Sequence, residues 1–358
     1  MFKLHLKKLA IGAMLAGAST ISFATTCDSA LASYETYASM NDTYWMNYIK
    51  TNHPECFAGS GSTSNVQINA TAFTQAVSIS RVIASRLSPL SGGPIASSAQ
   101  TGLAAGGKSQ AWNVWANVDQ NDTDFEYMTG ATRVQGGSEV QTSVLGADYA
   151  LAPNMVVGVS MAFDNGDGWG RNGVAARNTT STDGFLIAPY LGYQISKDLS
   201  VDVSAGLGEG DFSGAGGVSA SADRWFAAAN LSYARWMGNW QVTGKASYLH
   251  GEEEYGNTRT GATVRAGTAS TNKLDQIRLG AQAGLWMDGF MPYAGLGYTS
   301  NINTTGNDPL GGDAFVATLG VNFFSLSSKV SGGVFFEQEL NRDHSDNQVI
   351  SANINFRF

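Results

Sequence analysis

The feature that most constrains this chain is a two-residue alternation that begins near residue 110 and persists to the C-terminus. In the last stretch Ile350, Ala352, Ile354, Phe356 and Phe358 alternate with Ser351, Asn353, Asn355 and Arg357. That spacing puts every apolar group on one face of a strand and none on a helical stripe. Phe315, Ala317, Leu319, Val321 and Phe323 repeat the pattern, as do Ile277, Leu279, Ala281, Ala283 and Leu285. Twelve strands are predicted at 110–118, 138–149, 154–163, 182–195, 199–209, 221–235, 239–250, 272–286, 290–300, 312–323, 328–338 and 348–358. Most exceed a soluble strand and reach the roughly 9 to 11 residues that cross a bilayer at a tilt.

The connections between these strands alternate in length. ALAP, SKD, MGN, MDG and SLSS are short, whereas DQNDTDFEYMTGATRVQGG, DNGDGWGRNGVAARNTT, GDFSGAGGVSA, GEEEYGNTRTGATVRAGTAST, NINTTGNDPLGG and NRDHSDNQ are longer and polar. In an up-and-down barrel every second connection lies on one rim, so short turns belong to the periplasmic side and long loops to the cell exterior. Lipid offers no hydrogen-bond partner to an open edge, so the first strand is expected to pair with the last. The fold class is therefore all-β, a twelve-stranded antiparallel transmembrane barrel that needs no partner subunit to close. Trp112, Tyr193, Trp236, Trp240, Trp286 and Tyr298 stand near predicted strand ends, where aromatics serve as interface residues.

Ahead of the barrel, residues 1–24 read as an export signal: Lys3, Lys7 and Lys8 precede the apolar run LAIGAMLAGA, and Ser22 and Ala24 offer a cleavage site. Removing them takes the net charge from -8 to -11, which excludes a nucleic-acid partner that needs a basic face. Residues 25–70 form a polar segment without sustained periodicity. In an oxidising compartment its cysteines, Cys27 and Cys56, make a disulfide the simplest reading. Residues 71–109 combine a helix with a linker. Phe73, Ala76, Val77, Ile83, Ala84 and Leu87 share one helical stripe over 71–88, Ile79 and Val82 blur the polar face, and Pro89 ends the helix.

Catalytic and metal motifs are weak. Gly102–Ser109 matches a phosphate-binding loop in letters but leads into a strand instead of a helix, so no nucleotide or other cofactor is expected. Ser247 and His250 are the best candidates for an outer-membrane phospholipase pair, yet alternation points them to opposite faces. Asp164, Asn165 and Asp167 lack a complete calcium-loop pattern and read as a turn cluster, while GEEEY reads as a strand end entering a solvated acidic loop. No enzyme and no metal site are expected.

The helix before the barrel, the opening strand QAWNVWANV, the strand count and the ending Ile354-Asn355-Phe356-Arg357-Phe358 together resemble the autotransporters, over roughly residues 71 to 358. The resemblance implies an outer-membrane barrel whose N-terminal helix threads the lumen and whose passenger crosses to the cell surface. It makes Ile354, Phe356 and Phe358 the signal read by the barrel-insertion machinery, with periplasmic chaperones as further partners. Lipid and lipopolysaccharide would surround the barrel, and a host or cell-surface ligand could meet its exposed parts. Arg81 and Arg86 become the lumen-plug residues, facing carboxylates such as Glu337. Gly280, Gly284 and Gly320 are expected to admit the helix backbone. Residues 25–70 are short for a stacked passenger, and no paired asparagines mark a self-cleavage site. An adhesin or receptor barrel with binding loops and a passive diffusion pore are the alternatives.

Overall fold

The computed structural model describes Tyr48, Asn52 and residues 70–87, 112–129, 132–172, 177–266, 268–304, 312–325 and 329–358. The export signal, Cys27, Cys56 and the linker with Gly102–Ser109 lie outside the described residues. A helix, α1 (Ala70–Leu87), precedes fourteen strands. The first seven are β1 (Trp112–Thr129), β2 (Thr132–Ala152), β3 (Met155–Asn172), β4 (Asn178–Gln194), β5 (Leu199–Gly214), β6 (Val218–Met237) and β7 (Trp240–Tyr255). A small ribbon, β8 (Arg259–Thr260) and β9 (Thr263–Val264), precedes β10 (Ser270–Leu285), β11 (Phe290–Thr304), β12 (Asp313–Ser325), β13 (Val330–Leu340) and β14 (Ser345–Arg357).

Apart from the ribbon, the twelve long strands form one antiparallel sheet that closes on itself. The seam joins β1 to β14 from Asn113↔Arg357 to Phe125↔Ser345, and the Phe358 amide donates to the Trp112 carbonyl at 3.0 Å. Closure matters because every backbone group facing lipid must find its partner within the sheet. The side chains agree with it. Leu207 and Leu296 are each 72 % exposed, and Val159, Met161, Leu319 and Ile350 share the outer face. A soluble chain would not leave such a continuous apolar surface bare, whereas hydrocarbon covers it without cost. No described helix is long and apolar enough to cross a membrane.

One rim follows the sequence reading closely, with tight turns between Ala152 and Met155, Met237 and Trp240, and Leu285 and Phe290. Trp112, Tyr193 and Trp240 are exposed at strand ends on this rim, and the Trp112 and Tyr149 rings lie 5.0 Å apart. Two of the predicted interface aromatics behave otherwise. Trp236 pairs in register with Gln241, a buried residue of the inner face, and the Trp286 ring lies tilted 5.4 Å from that of Phe324, which lines the lumen.

The other rim corrects the expected long loops. β1 and β2 remain paired up to Thr129↔Thr132, so most of residues 119–137 is strand. Asp164, Asn165 and Asp167 lie within β3, and the GEEEY acids lie within β7, instead of in a turn or a loop. These extensions are polar on both faces, so their alternation carries no hydrophobic signal. The segment after β7 folds back as the β8–β9 ribbon, which pairs with β6 through Val218↔Thr260 and Ser219↔Arg259.

Candidate functional site

Among the described residues, the lumen encloses polar and apolar groups together with a separate element, α1. The helix is buried over most of its circumference and not along one narrow stripe, with Val77 and Arg81 half-buried and Ser85 exposed on the remaining face. Gln75, Ala76, Ser78, Ile79, Ser80, Val82, Ile83 and Ala84 are all buried, and Ile79 and Ile83 are 0 % exposed. The apolar residues that blur its amphipathic pattern are therefore explained by a helix with wall on several sides. Ile79, Ile83, Val82 and Ala76 pack into one cluster with Trp115, Val144, Ala162, Leu186, Phe226 and Leu249.

Polar contacts fix the helix to the wall at different points around the barrel. The Ser78 hydroxyl donates to the Asp119 carboxylate on β1, and Ser80 hydrogen-bonds Asn230 on β6 at 3.2 Å. Arg81 Nη2 lies 3.3 Å from Glu337 Oε1 on β13, while Arg278 on β10 also pairs with Glu337. Such contacts matter more in an enclosed lumen than on a surface, since water competes less for each donor. Arg86 lies in the last turn of α1, where its side chain is outside the described set.

The helix is off-centre. It packs against β1 to β7, and beside it remains a cavity of about 270 Å³ lined mostly by β7 and β10 to β14. Lys245, Arg278, Glu337, Tyr293 and Phe335 line that space opposite Arg81. The glycines expected to admit the helix do not serve it. A Cβ on Gly320 would lie 2.5 Å from Tyr293 Cζ, one on Gly284 would lie 3.0 Å from Met291 Cγ, and one on Gly280 would first meet Leu296 O at 3.6 Å. Neighbouring strands take up the room that these positions leave.

Farther along the tall strands, a buried ion triad was not foreseen. Arg224 Nε donates to Glu253 Oε1 and Nη1 to Asp164 Oδ1, each at 2.8 Å, with all three side chains at most 1 % exposed. Arg224 stands on β6 and Asp164 on β3, so the guanidinium must cross β5 and β4. Glycine at both crossings makes this possible: a Cβ on Gly210 would lie 2.3 Å from Arg224 Cζ, and one on Gly184 only 2.1 Å from Nη1. Asp164, Gly184, Gly210 and Ala222 are register partners across the four strands. The inward parity of Arg224 and these two glycines was available in the sequence, but their shared row required the register.

Other candidate residues separate as alternation requires. Ser247 pairs in register with Arg278, whereas His250 Nδ1 lies 2.7 Å from Asp275 Oδ1 and its ring is 4.7 Å from that of Trp225 on the outer face. No serine–histidine pair forms between Ser247 and His250. Among the described residues, no group of three or more His, Cys, Asp or Glu side chains is placed to hold a metal ion. Phe356 and Phe358 are exposed at the end of β14, with Ile354 half-buried on the same face.

No protein-family model matches this sequence, and no curated protein sequence does either. Solved structures do match the fold. The translocator domain of the autotransporter NalP from Neisseria meningitidis is similar with a TM-score of 0.56 and 12 % identity, covering 71 % of this chain and 91 % of that one. The β-domain of the Bordetella autotransporter BrkA matches at 0.51 and 17 % identity, covering 69 % and 100 %. The transport unit of AIDA-I from Escherichia coli matches at 0.53 and 11 % identity, covering 71 % and 92 %. The chain thus has the fold of an outer-membrane autotransporter translocator, a closed twelve-stranded barrel with a helix in its lumen.

Proposed function

We propose that this barrel exports or displays the segment of roughly residues 25–70 at the cell surface and then keeps α1 as its lumen plug. The reading rests chiefly on one observation: a helix preceding the barrel is buried on several sides within it and bonded through Ser78, Ser80 and Arg81 to three separated strands. A helix merely resting at the mouth would leave its polar side in water. In this reading α1 runs toward the periplasmic mouth, so the chain before Ala70 leaves on the outside. Arg81, and Arg86 beyond it, hold the plug. Ile354, Phe356 and Phe358 act as the recognition strand for the insertion machinery, to which periplasmic chaperones deliver the unfolded chain.

A tag placed near residue 40 tests this. Protease added to intact cells should remove the tag while the barrel remains whole. A tag that stays protected in unbroken cells, with the barrel correctly inserted, overturns the proposal. The cavity beside α1 gives a pore reading some support, and deletion of residues 71–88 separates the two. A plugged barrel should pass much more current after the deletion, whereas an open pore should pass the same high current before and after it.

A further inference from the structure

We propose that the half of the lumen left free by α1 is a passage for small anions, with Lys245, Arg278 and Arg81 as its cationic wall. The space is lined by Asn113, Ser331 and Asn355 near the short-turn rim and by Leu249, Gln276 and Val316 farther up the strands. It therefore extends along much of the shorter side of the barrel. β12, β13 and β14 have only 13, 11 and 13 residues.

The charges around it are segregated. Asp119 accepts from Ser78 and from Asn117 at 2.9 Å, Asp148 from Tyr190 at 2.7 Å and Asn113 at 3.0 Å, and Asp202 from Asn230 at 2.7 Å. On the cavity side, Arg81 and Arg278 converge on the single carboxylate of Glu337. Lys245 lies within electrostatic reach of both arginines, and of Asp202 and Glu337, but forms no ion pair with a described residue. Three cations thus share a low-dielectric cleft with Glu337 and the more distant Asp148 as the lining carboxylates. A cleft of one prevailing sign concentrates ions of the other and speeds their entry. Chloride, phosphate and small carboxylates share the required chemistry.

The inference goes beyond export, and its test fails independently: loss of tag display leaves ion selectivity untouched, and loss of selectivity leaves display untouched. The full chain, refolded in detergent and placed in a planar bilayer under a potassium chloride gradient, should give a reversal potential with the sign of chloride preference. Inorganic phosphate should reduce that current. Lys245→Gln should shift the potential toward zero and Lys245→Glu should carry it farther, toward potassium. Heat-dependent gel migration checks that each variant is folded, and if Lys245→Glu fails to insert, Lys245→Gln and the phosphate block decide. Absence of current, potassium preference in the unaltered chain, or folded Lys245 variants with unchanged selectivity would each overturn the proposal.

Discussion

The two sides of this barrel solve different problems. β1 to β7 are 16 to 21 residues long, carry the helix and enclose the Arg224 triad. β11 to β14 run to only 11 to 15 residues and face the cavity with a sparse set of charges. On the tall side, space is filled by α1, by the side chains packed on it and by Arg224 reaching across two glycines. On the short side, space is left beside Lys245, Arg278 and Glu337. The difference teaches that a single closed sheet can hold a rigid seat and an unfilled gap at once, because each strand chooses its inward side chains separately.

The triad offers the strongest way to break the tall side. Arg224→Met leaves Asp164 and Glu253 buried with their shared cation gone, which should destabilise the barrel by about 3–5 kcal/mol. Chemical unfolding followed by tryptophan fluorescence measures it. Combining that change with Asp164→Asn and Glu253→Gln should recover most of the loss, since no uncompensated charge then remains. A triple variant as unstable as Arg224→Met alone would show that the triad acts by shape and not by charge.

Next in size is the seat of the helix. Ile79→Ala or Ile83→Ala removes a fully buried side chain from the α1 cluster and should cost about 2–5 kcal/mol of helix docking. The barrel itself should remain folded, because its strands pair without α1. Planar-bilayer recordings should therefore show more frequent openings at unchanged gel migration. Loss of the barrel instead would mean that the helix is needed to form the wall and not only to fill it.

Glycine replacements contrast a crowded inward position with an open one. Gly184→Ala places a methyl where Arg224 lies and should cost about 1–3 kcal/mol through overpacking. Gly280→Ala meets its first neighbour at 3.6 Å, an ordinary contact. Its cost should stay within about 0.5 kcal/mol, as for a surface change away from special features. Parallel unfolding curves compare them, and equal effects would contradict the placement of the Arg224 guanidinium over Gly184.

The sequence made the bilayer-spanning rows legible and left the outer extensions obscure for one reason. Within lipid, one face of each strand must be apolar, as in the Ile350–Phe358 alternation. Beyond lipid both faces meet water or polar groups: Asn121 and Thr123 turn inward while Asp122 and Asp124 turn outward, so alternation survives in the backbone but not in hydropathy. The helix was visible from Phe73, Ala76, Val77 and Ile83, yet its burial on several sides showed only as the misplaced Ile79 and Val82. Arg224 was hidden more deeply. Its partners are separated by 60 and 29 positions, and only the register aligns Gly184 and Gly210 beneath it.

Arg81 is where the two sides meet, and its replacement should have a modest effect. Its 3.3 Å contact with Glu337 is long for an ion pair, and Glu337 keeps Arg278 when Arg81 is removed. No carboxylate is stranded, so Arg81→Met should weaken helix docking by only about 1 kcal/mol, the usual net worth of one hydrogen bond. A double-mutant cycle of Arg81→Met with Glu337→Gln, read from the open fraction in bilayer recordings, should return a coupling near that size. The helix would stay seated on β1 to β7 through Ile79, Ile83 and Ser78. If Arg81→Met instead frees the helix as fully as Ile79→Ala does, the short side would share the work of holding it, and the division between seat and gap would have to be redrawn.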